Sequence, residues 1–411
     1  MKVLFVHQNF PGQFPHLAPA LAGRGHEVLA LTAETNNRPT PVQVVKYRKP
    51  AEVKIEPRLT KMYADVSERG LKAALAARQM RDQHGYTPDV IFGHSGWGET
   101  LYLKEVWPEA KLLIYAELMY RTTGLDTDFD PEFARPSLES RISTTARAAH
   151  LIQAMVQADA ALSPTRFQAS TFPPELRAKI TVCHDGIETR RVAPNPQASY
   201  TVPGTTLTFR PGDEVLTFVN RSLEPYRGFH SFMRALPAVL AARPEAHVLI
   251  IGDEGQSYGA APKDATSWKQ KMLDEVAGRL DLSRVHFLGR VPYPDFLSVL
   301  QVGRAHAYLT YPFVLSWSSM EAMAAGVALI GSDTAPLREV VTDGVNGRLV
   351  DFFDVPGWSA ALTDALANPE KYLPLREAAR RTIVENYDLA THCLPRLIEF
   401  VESAGPRAAA P

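Results

Sequence analysis

FVLSWSSMEAMAAGVALIGSDTAPLREVVTDGVNGRLV, Phe313 to Val350, reads as loop, helix, strand and loop. Ser316 or Ser318 supplies the helix N-cap, where a side-chain oxygen takes up an orphan amide of the first turn. Gly326 stands at the C-cap position, where the left-handed backbone costs least. The apolar run Val327 to Ile330 then forms a strand. A helix start of this kind offers free N–H groups and a partial positive charge, which suits a diphosphate. Glu321 lies one turn inside. It can accept bonds from two neighbouring ribose hydroxyls, or simply be an acid favoured by the helix dipole; spacing alone leaves both open.

The same alternation extends in both directions. Towards the N-terminus come strands at Val215 to Val219, His247 to Ile251, His286 to Leu288 and Ala305 to Leu309, with a helix from Gly228 to Ala242. Earlier still, apolar runs at Lys2 to Val6, Glu27 to Leu31, Val42 to Val45, Val90 to Phe92, Leu112 to Tyr115, Ala160 to Leu162 and Ile180 to Cys183 alternate with helical patterns at Leu17 to Gly23, Arg58 to Asp82, after Gly98 and Leu138 to Val156. Short apolar strands separated by helices specify a parallel sheet covered on both faces. The text APNPQASYTVPGTT turns rich in Pro, Ser and Thr and reads as a linker. The expected organisation is therefore α/β: a Rossmann-like domain over residues 1–190, a linker 191–213, a second Rossmann-like domain 214–386, a helix 387–404 and a disordered tail 405–411. Ligands in such folds sit beyond the C-terminal ends of the strands.

Composition narrows the function classes. In 411 residues, 44 Lys and Arg face 45 Asp and Glu, a formal charge of -1, so no basic excess points to nucleic acid. The two cysteines, Cys183 and Cys393, have no metal-ligand or disulfide-framework spacing, and a reducing cytoplasm fits them. No stretch reaches the roughly 20 apolar residues of a spanning helix. Peripheral contact at the inner face of the membrane stays open, because a monotopic surface does not show in bulk hydropathy.

A second polar strand exit is NRSLEPYRG, Asn220 to Gly228, with Arg221 and Arg227 on a strand-to-helix loop. Two cations there can neutralise a leaving diphosphate without a metal, and arginine adds bidentate geometry. Together with Phe313 to Val350, this loop resembles the signature of retaining family 4 glycosyltransferases of the GT-B fold. In that family's pattern two glutamates separated by seven residues are followed by Ala-Met-Ala/Cys-x-Gly, then a strand, then Glu-Val-Val and Asn-Gly or Thr-Gly. Glu321, Ala322, Met323, Ala324, Gly326, Glu339, Gly344 and Gly347 fall in place.

The resemblance implies two facing domains with a cleft, and a C-terminal helix crossing back. It implies that Glu321 holds the donor ribose, that Ser316 and Ser318 belong to the donor site, and that Arg221 and Arg227 clamp the diphosphate. Gly252 and Gly289, with Arg290 beside the latter, would lie at the nucleotide base. Phe313 departs from the pattern, which has an acid at that position touching the donor sugar.

In the first half, HQNFPGQF puts Asn9 and Gly12 at the first strand exit, and GHSGWGE puts His94 at another. YAELMYR adds Glu117 and Arg121, read either as acceptor-side groups or as an ion pair at helical spacing. By resemblance, Gly12 approaches the donor phosphates or the acceptor, while His94, at the C-terminal edge of a parallel sheet, is a catalytic candidate for a sugar or phosphate contact. The acidic string DTDFDPE, Asp126 to Glu132, lacks the spacing of a calcium loop and reads as solvated. No metal and no resident cofactor is expected. The expected activity is retaining, metal-independent sugar transfer from a nucleotide-diphosphate sugar to a glycan, lipid-linked or protein-glycan acceptor. The alternatives are a nucleotide-sugar epimerase of the same fold and a catalytically weak sugar-nucleotide-binding subunit, the latter motivated by Phe313.

Overall fold

The computed structural model describes residues 1–52, 54 and 58–406. The chain forms two compact units, Met1–Gly186 with the chain from Ala390 onward, and Ile187–Leu389. The chain enters and leaves the second unit side by side: Ile187 bridges Asp388, and the Thr189 hydroxyl donates to the Asp388 carboxylate.

In the first unit, β1 (Lys2–Val6), β2 (Glu27–Ala33), β3 (Gln43–Tyr47), β4 (Val90–His94), β5 (Lys111–Tyr115), β6 (Ala160–Ser163) and β7 (Ile180–Val182) form one parallel sheet in the order β3-β2-β1-β4-β5-β6-β7. The central strands are buried on both faces, as their unbroken apolar runs require. Phe5, Phe14 and Phe92 meet under one face, and Phe400 of the helix Leu394–Ala404 packs on Phe92 with 5.8 Å between ring centroids. That helix buries Leu397, Phe400 and Val401, while its Glu402 takes Arg24 at 2.7 Å and His26 at 2.9 Å. The terminal helix thus belongs to the first unit. Of the tail expected to be disordered, residues 407–411 lie outside the described residues.

The second unit opens with the hairpin β8 (Tyr200–Thr201) and β9 (Thr208–Phe209). Its sheet, again parallel, holds β10 (Val215–Ser222), β11 (His247–Asp253), β12 (Val285–Gly289), β13 (Ala305–Tyr308), β14 (Ala328–Ser332) and β15 (Arg348–Val350) in the order β12-β11-β10-β13-β14-β15. The strand order reverses between β10 and β13, and the exits of those two strands carry the loops described below.

Two expectations change. The stretch read as a linker is packed into the second unit, where Val192, Ala198, Tyr200, Val202 and Phe209 are buried. Its turn residues serve the hairpin, and the apolar residues among them anchor it. The helix expected over Leu138 to Val156 is two, Leu138–Arg147 and Ala149–Gln157. Just before the break, Thr144 and Thr145 donate their hydroxyls to the carbonyls of Ser140 and Arg141, the back-bonding that bends helices.

Candidate active site

Arg227 ends the short turn Pro225–Arg227 after β10, and its side chain is buried. Nη1 donates to the Tyr308 hydroxyl at 3.2 Å, to Thr310 Oγ1 at 2.8 Å and to the Val314 carbonyl at 2.8 Å. The guanidinium carbon lies 5.5 Å from the Tyr258 ring centre and 5.6 Å from that of Phe313. No carboxylate pairs with it among the described residues. A buried cation balanced only by neutral dipoles and aromatic faces keeps its charge available for an anion.

Tyr308 ties this cation to the helix Trp317–Ala324, because the same hydroxyl accepts the Ser316 N–H at 2.8 Å. Ser316 is the N-cap: its Oγ takes the Ser318 amide at 3.4 Å and lies 2.9 Å from Ser318 Oγ. Arg227 and the start of the helix are therefore held together by β13. At the other end, Arg376 and Arg380 donate to the carbonyls of Gly326 and Ala324. Cations there complement the helix dipole and cap its orphan acceptors.

Glu321 accepts the Tyr293 hydroxyl on Oε1 at 2.6 Å. Burial pushes its carboxyl above the usual range, partly offset by Tyr293 and by Arg191.

Arg221 differs from Arg227: it stands exposed at the end of β10, without an ion pair or side-chain hydrogen bond among the described residues. Gly252, in β11, leaves room for Leu223, whose Cδ2 would lie 2.6 Å from any added Cβ. It therefore packs the β11 exit on the end of β10 and on Leu223. Arg290 is exposed and pairs with Asp253 at 2.5 Å.

In the first unit, three strand exits share one device. Nδ1 of His7 accepts the Asn9 N–H at 2.9 Å, Nδ1 of His94 the Gly96 N–H at 2.9 Å, and Nδ1 of His184 the Gly186 N–H at 3.0 Å. In each neutral ring the proton is thereby assigned to Nε2. Burial pushes His7 down to about 3, with His94 and Arg38 adding to the effect, and pushes His184 down to about 4. His94 is buried, stacked between Trp97 and Tyr115, and its Nε2 faces Glu117 Oε2 at 3.5 Å.

Gly12 has φ +52°, and an added Cβ would fall 2.7 Å from the His7 ring, so the turn needs glycine to seat that imidazole. Asn9 is exposed beside it. Arg121 does not reach Glu117. The backbone after β5 is not helical, and the guanidinium instead caps a short helix, donating to the carbonyls of Thr171 and Ser170 at 2.8 Å each. The ion-pair reading at helical spacing is thereby corrected.

The acidic string is also corrected: Asp126 and Asp130 are buried, and Asp130 accepts the Glu132 amide at 2.9 Å while Asp128 takes Gly124 N–H. Asp128 and Asp130 thus accept amides that help turn the chain, as aspartate does in short loops.

Sequence reasoning missed Tyr308 and Glu224. Glu224 is fully buried and receives the amides of Tyr258 and Gly259, at 3.2 and 2.9 Å, which fixes Tyr258 over Arg227. A glutamate inside the cationic loop was the available signal. Nothing in the strand pattern marks Tyr308.

Residues 24–192 match the glycosyl transferase family 4 group, and residues 206–382 match the glycosyl transferases group 1. A glycogen synthase from Mycobacterium tuberculosis is 22% identical over 95% of this chain and 92% of its own. A phosphatidyl-myo-inositol mannosyltransferase from Mycolicibacterium smegmatis is 31% identical over 48% of this chain and 47% of its own. Among solved structures, HepE from Anabaena in complex with UDP-glucose covers 98% of this chain and all of its own, with a TM-score of 0.68 and 16% identity. Sucrose-phosphate synthase from Thermosynechococcus elongatus does the same with a TM-score of 0.70 and 17% identity. These structures share the fold, GT-B, with two parallel-sheet Rossmann-like domains. Among the described residues no helix is long and apolar enough to cross a membrane.

Proposed function

We propose that this chain, a glycosyltransferase by both of its domain families, moves a sugar from a nucleotide-diphosphate donor to an acceptor hydroxyl with retention of anomeric configuration. The observation that carries this reading is Arg227: a buried guanidinium, without a carboxylate partner among the described residues, tied through Tyr308 to a helix start. Such a site favours a polyanion. The UDP-glucose bound to HepE is in keeping with a donor of that class.

In this mechanism the acceptor oxygen attacks the anomeric carbon on the side from which the diphosphate departs. The bond from that carbon to the phosphate oxygen breaks as the new glycosidic bond forms, and a phosphate oxygen takes the acceptor proton. Arg227, Arg221 and the amides at the start of Trp317–Ala324 stabilise the charge growing on the diphosphate. Glu321 holds the ribose, and Arg290 stands near the base. In the first unit, His94 Nε2–H is a donor suited to sugar oxygens, with Glu117 as the neighbouring acceptor and Asn9 at the edge of the same strand exits. The charge being met by arginine and backbone, no divalent cation is required. The setting is cytoplasmic glycan or glycoconjugate synthesis, on glycan, lipid-linked or protein-glycan acceptors at the inner face of the membrane.

A thermal-shift panel of nucleotide sugars identifies the donor by mass action. NMR of the first-formed glycoside then reads the stereochemistry, and an inverted anomeric centre would overturn the mechanism. Activity should survive exhaustive EDTA; its loss with recovery on Mg²⁺ would count against metal independence.

A further inference from the structure

Three stretches far apart in sequence converge on one carboxylate of the second unit. Tyr293 opens the helix Tyr293–Val302, just after the exit of β12, and its hydroxyl donates to Glu321 Oε1 at 2.6 Å. The Arg191 guanidinium carbon lies 4.4 Å over the Tyr293 ring, and Phe296 flanks that ring at 5.5 Å between centroids. Arg191 is itself paired with Glu188 at 3.9 Å. The remaining cations packed against the Glu321 helix, Arg376 and Arg380, are spent on the carbonyls of Gly326 and Ala324.

A hydrogen bond this short to a carboxylate is stronger than a neutral one and fixes the carboxylate plane. It engages one oxygen and leaves Oε2 without a described side-chain donor. Burial opposes the ionised form of Glu321, while the Tyr293 bond and the Arg191 charge favour it. A carboxylate fixed in this way is a bond acceptor aimed in one direction. Left to rotate, it would pay that ordering cost on binding.

We propose that Tyr293 is the positioning residue that aims Glu321 at the ribose hydroxyls of the donor nucleotide, and that Arg191, stacked on its ring, holds Tyr293 in place. The proposal rests on the reading of Glu321 as the ribose acceptor. It also gives the segment before the hairpin, expected as a linker, a part in the donor site.

A site built to hydrogen-bond a hydroxyl discriminates against an analogue lacking it. The test is calorimetric titration of the full chain with UDP, ADP and GDP, then with the 2′-deoxy counterpart of the tightest, across pH 5 to 8. Wild type should prefer the ribonucleotide, and Glu321→Ala should abolish that preference. Tyr293→Phe, which removes one oxygen and keeps the ring, should reduce the preference by about fivefold, the worth of one ordinary hydrogen bond. In that variant Glu321 loses a bond that favours its charged form. The pH midpoint below which ribonucleotide binding fades should therefore move upward, and KM for the donor should rise more than kcat falls. Arg191→Ala should shift the same readouts in the same direction by less.

If Glu321→Ala abolishes the preference while Tyr293→Phe keeps wild-type preference and midpoint, Tyr293 has no positioning role and the Glu321 reading stands. If none of the three diphosphates binds, or Glu321→Ala keeps the preference, the Glu321 reading itself falls.

Discussion

The strand exits of the two units solve opposite problems. In the first unit three of them, those of β1, β4 and β7, end in histidines whose Nδ1 accepts the amide two residues on, which assigns the ring proton to Nε2. In the second unit the exit of β10 ends in arginines, one of them buried without a carboxylate partner among the described residues. Neutral donors fixed in one tautomer suit sugar hydroxyls, whereas a retained cation suits a diphosphate. One architecture thus carries two chemistries, set by which side chains terminate its strands.

Arg227→Ala should give the largest effect, a loss of about 10² to 10³ in kcat/KM, the range for removing a preorganised charge donor. A steady-state assay with the identified donor reads it, and a loss below tenfold would place the diphosphate elsewhere. Phe313→Glu sharpens the same point. An acid there would face a guanidinium now 5.6 Å from the Phe313 ring centre and would neutralise it. Donor diphosphate affinity should fall on the order of 10²-fold, given an attraction of about 3 kcal/mol at that distance and an effective dielectric near 20. Unchanged affinity by calorimetry would show that Arg227's charge is not what the ligand uses.

Arg221→Ala should cost less, about two- to fivefold, since an exposed cation is screened by solvent and salt. Its effect should shrink further at high salt, whereas that of Arg227 should persist; the reverse order would break the distinction drawn between them.

The smallest effect concerns the first unit. His7 is pushed down to about 3 by burial, against an ordinary 6.5. The unfolded chain therefore binds a proton that the folded chain refuses between those values, so this contribution is full above about pH 6.5 and is lost as pH falls towards 3. In His7→Gln the fall in melting temperature between pH 6.5 and pH 5 should be shallower by on the order of 2 °C. An unchanged slope would mean that His7 is not held neutral by the fold.

Most of the architecture was legible because strands of buried parallel sheets are continuous apolar runs. What escaped notice was short or mixed: β15 is only three residues beginning with an exposed arginine, and the β8–β9 hairpin hides in a Pro- and Thr-rich stretch. Arg221, Arg227 and Ser316 could be placed by spacing from a strand exit or helix start. Their inequality could not, because burial of Arg227 comes from Tyr308, Tyr258 and Phe313, which the fold brings from other strands and loops. For the same reason Tyr293 could not be paired with Glu321, nor Arg121 separated from Glu117.

The most direct test of the central claim is calorimetric titration of wild type and Arg227→Ala with a nucleoside diphosphate and the matching monophosphate, using the base that binds most tightly. The account predicts that wild type prefers the diphosphate clearly and that Arg227→Ala, at unchanged fold by circular dichroism, loses most of that preference. Equal preference in the two proteins would contradict it.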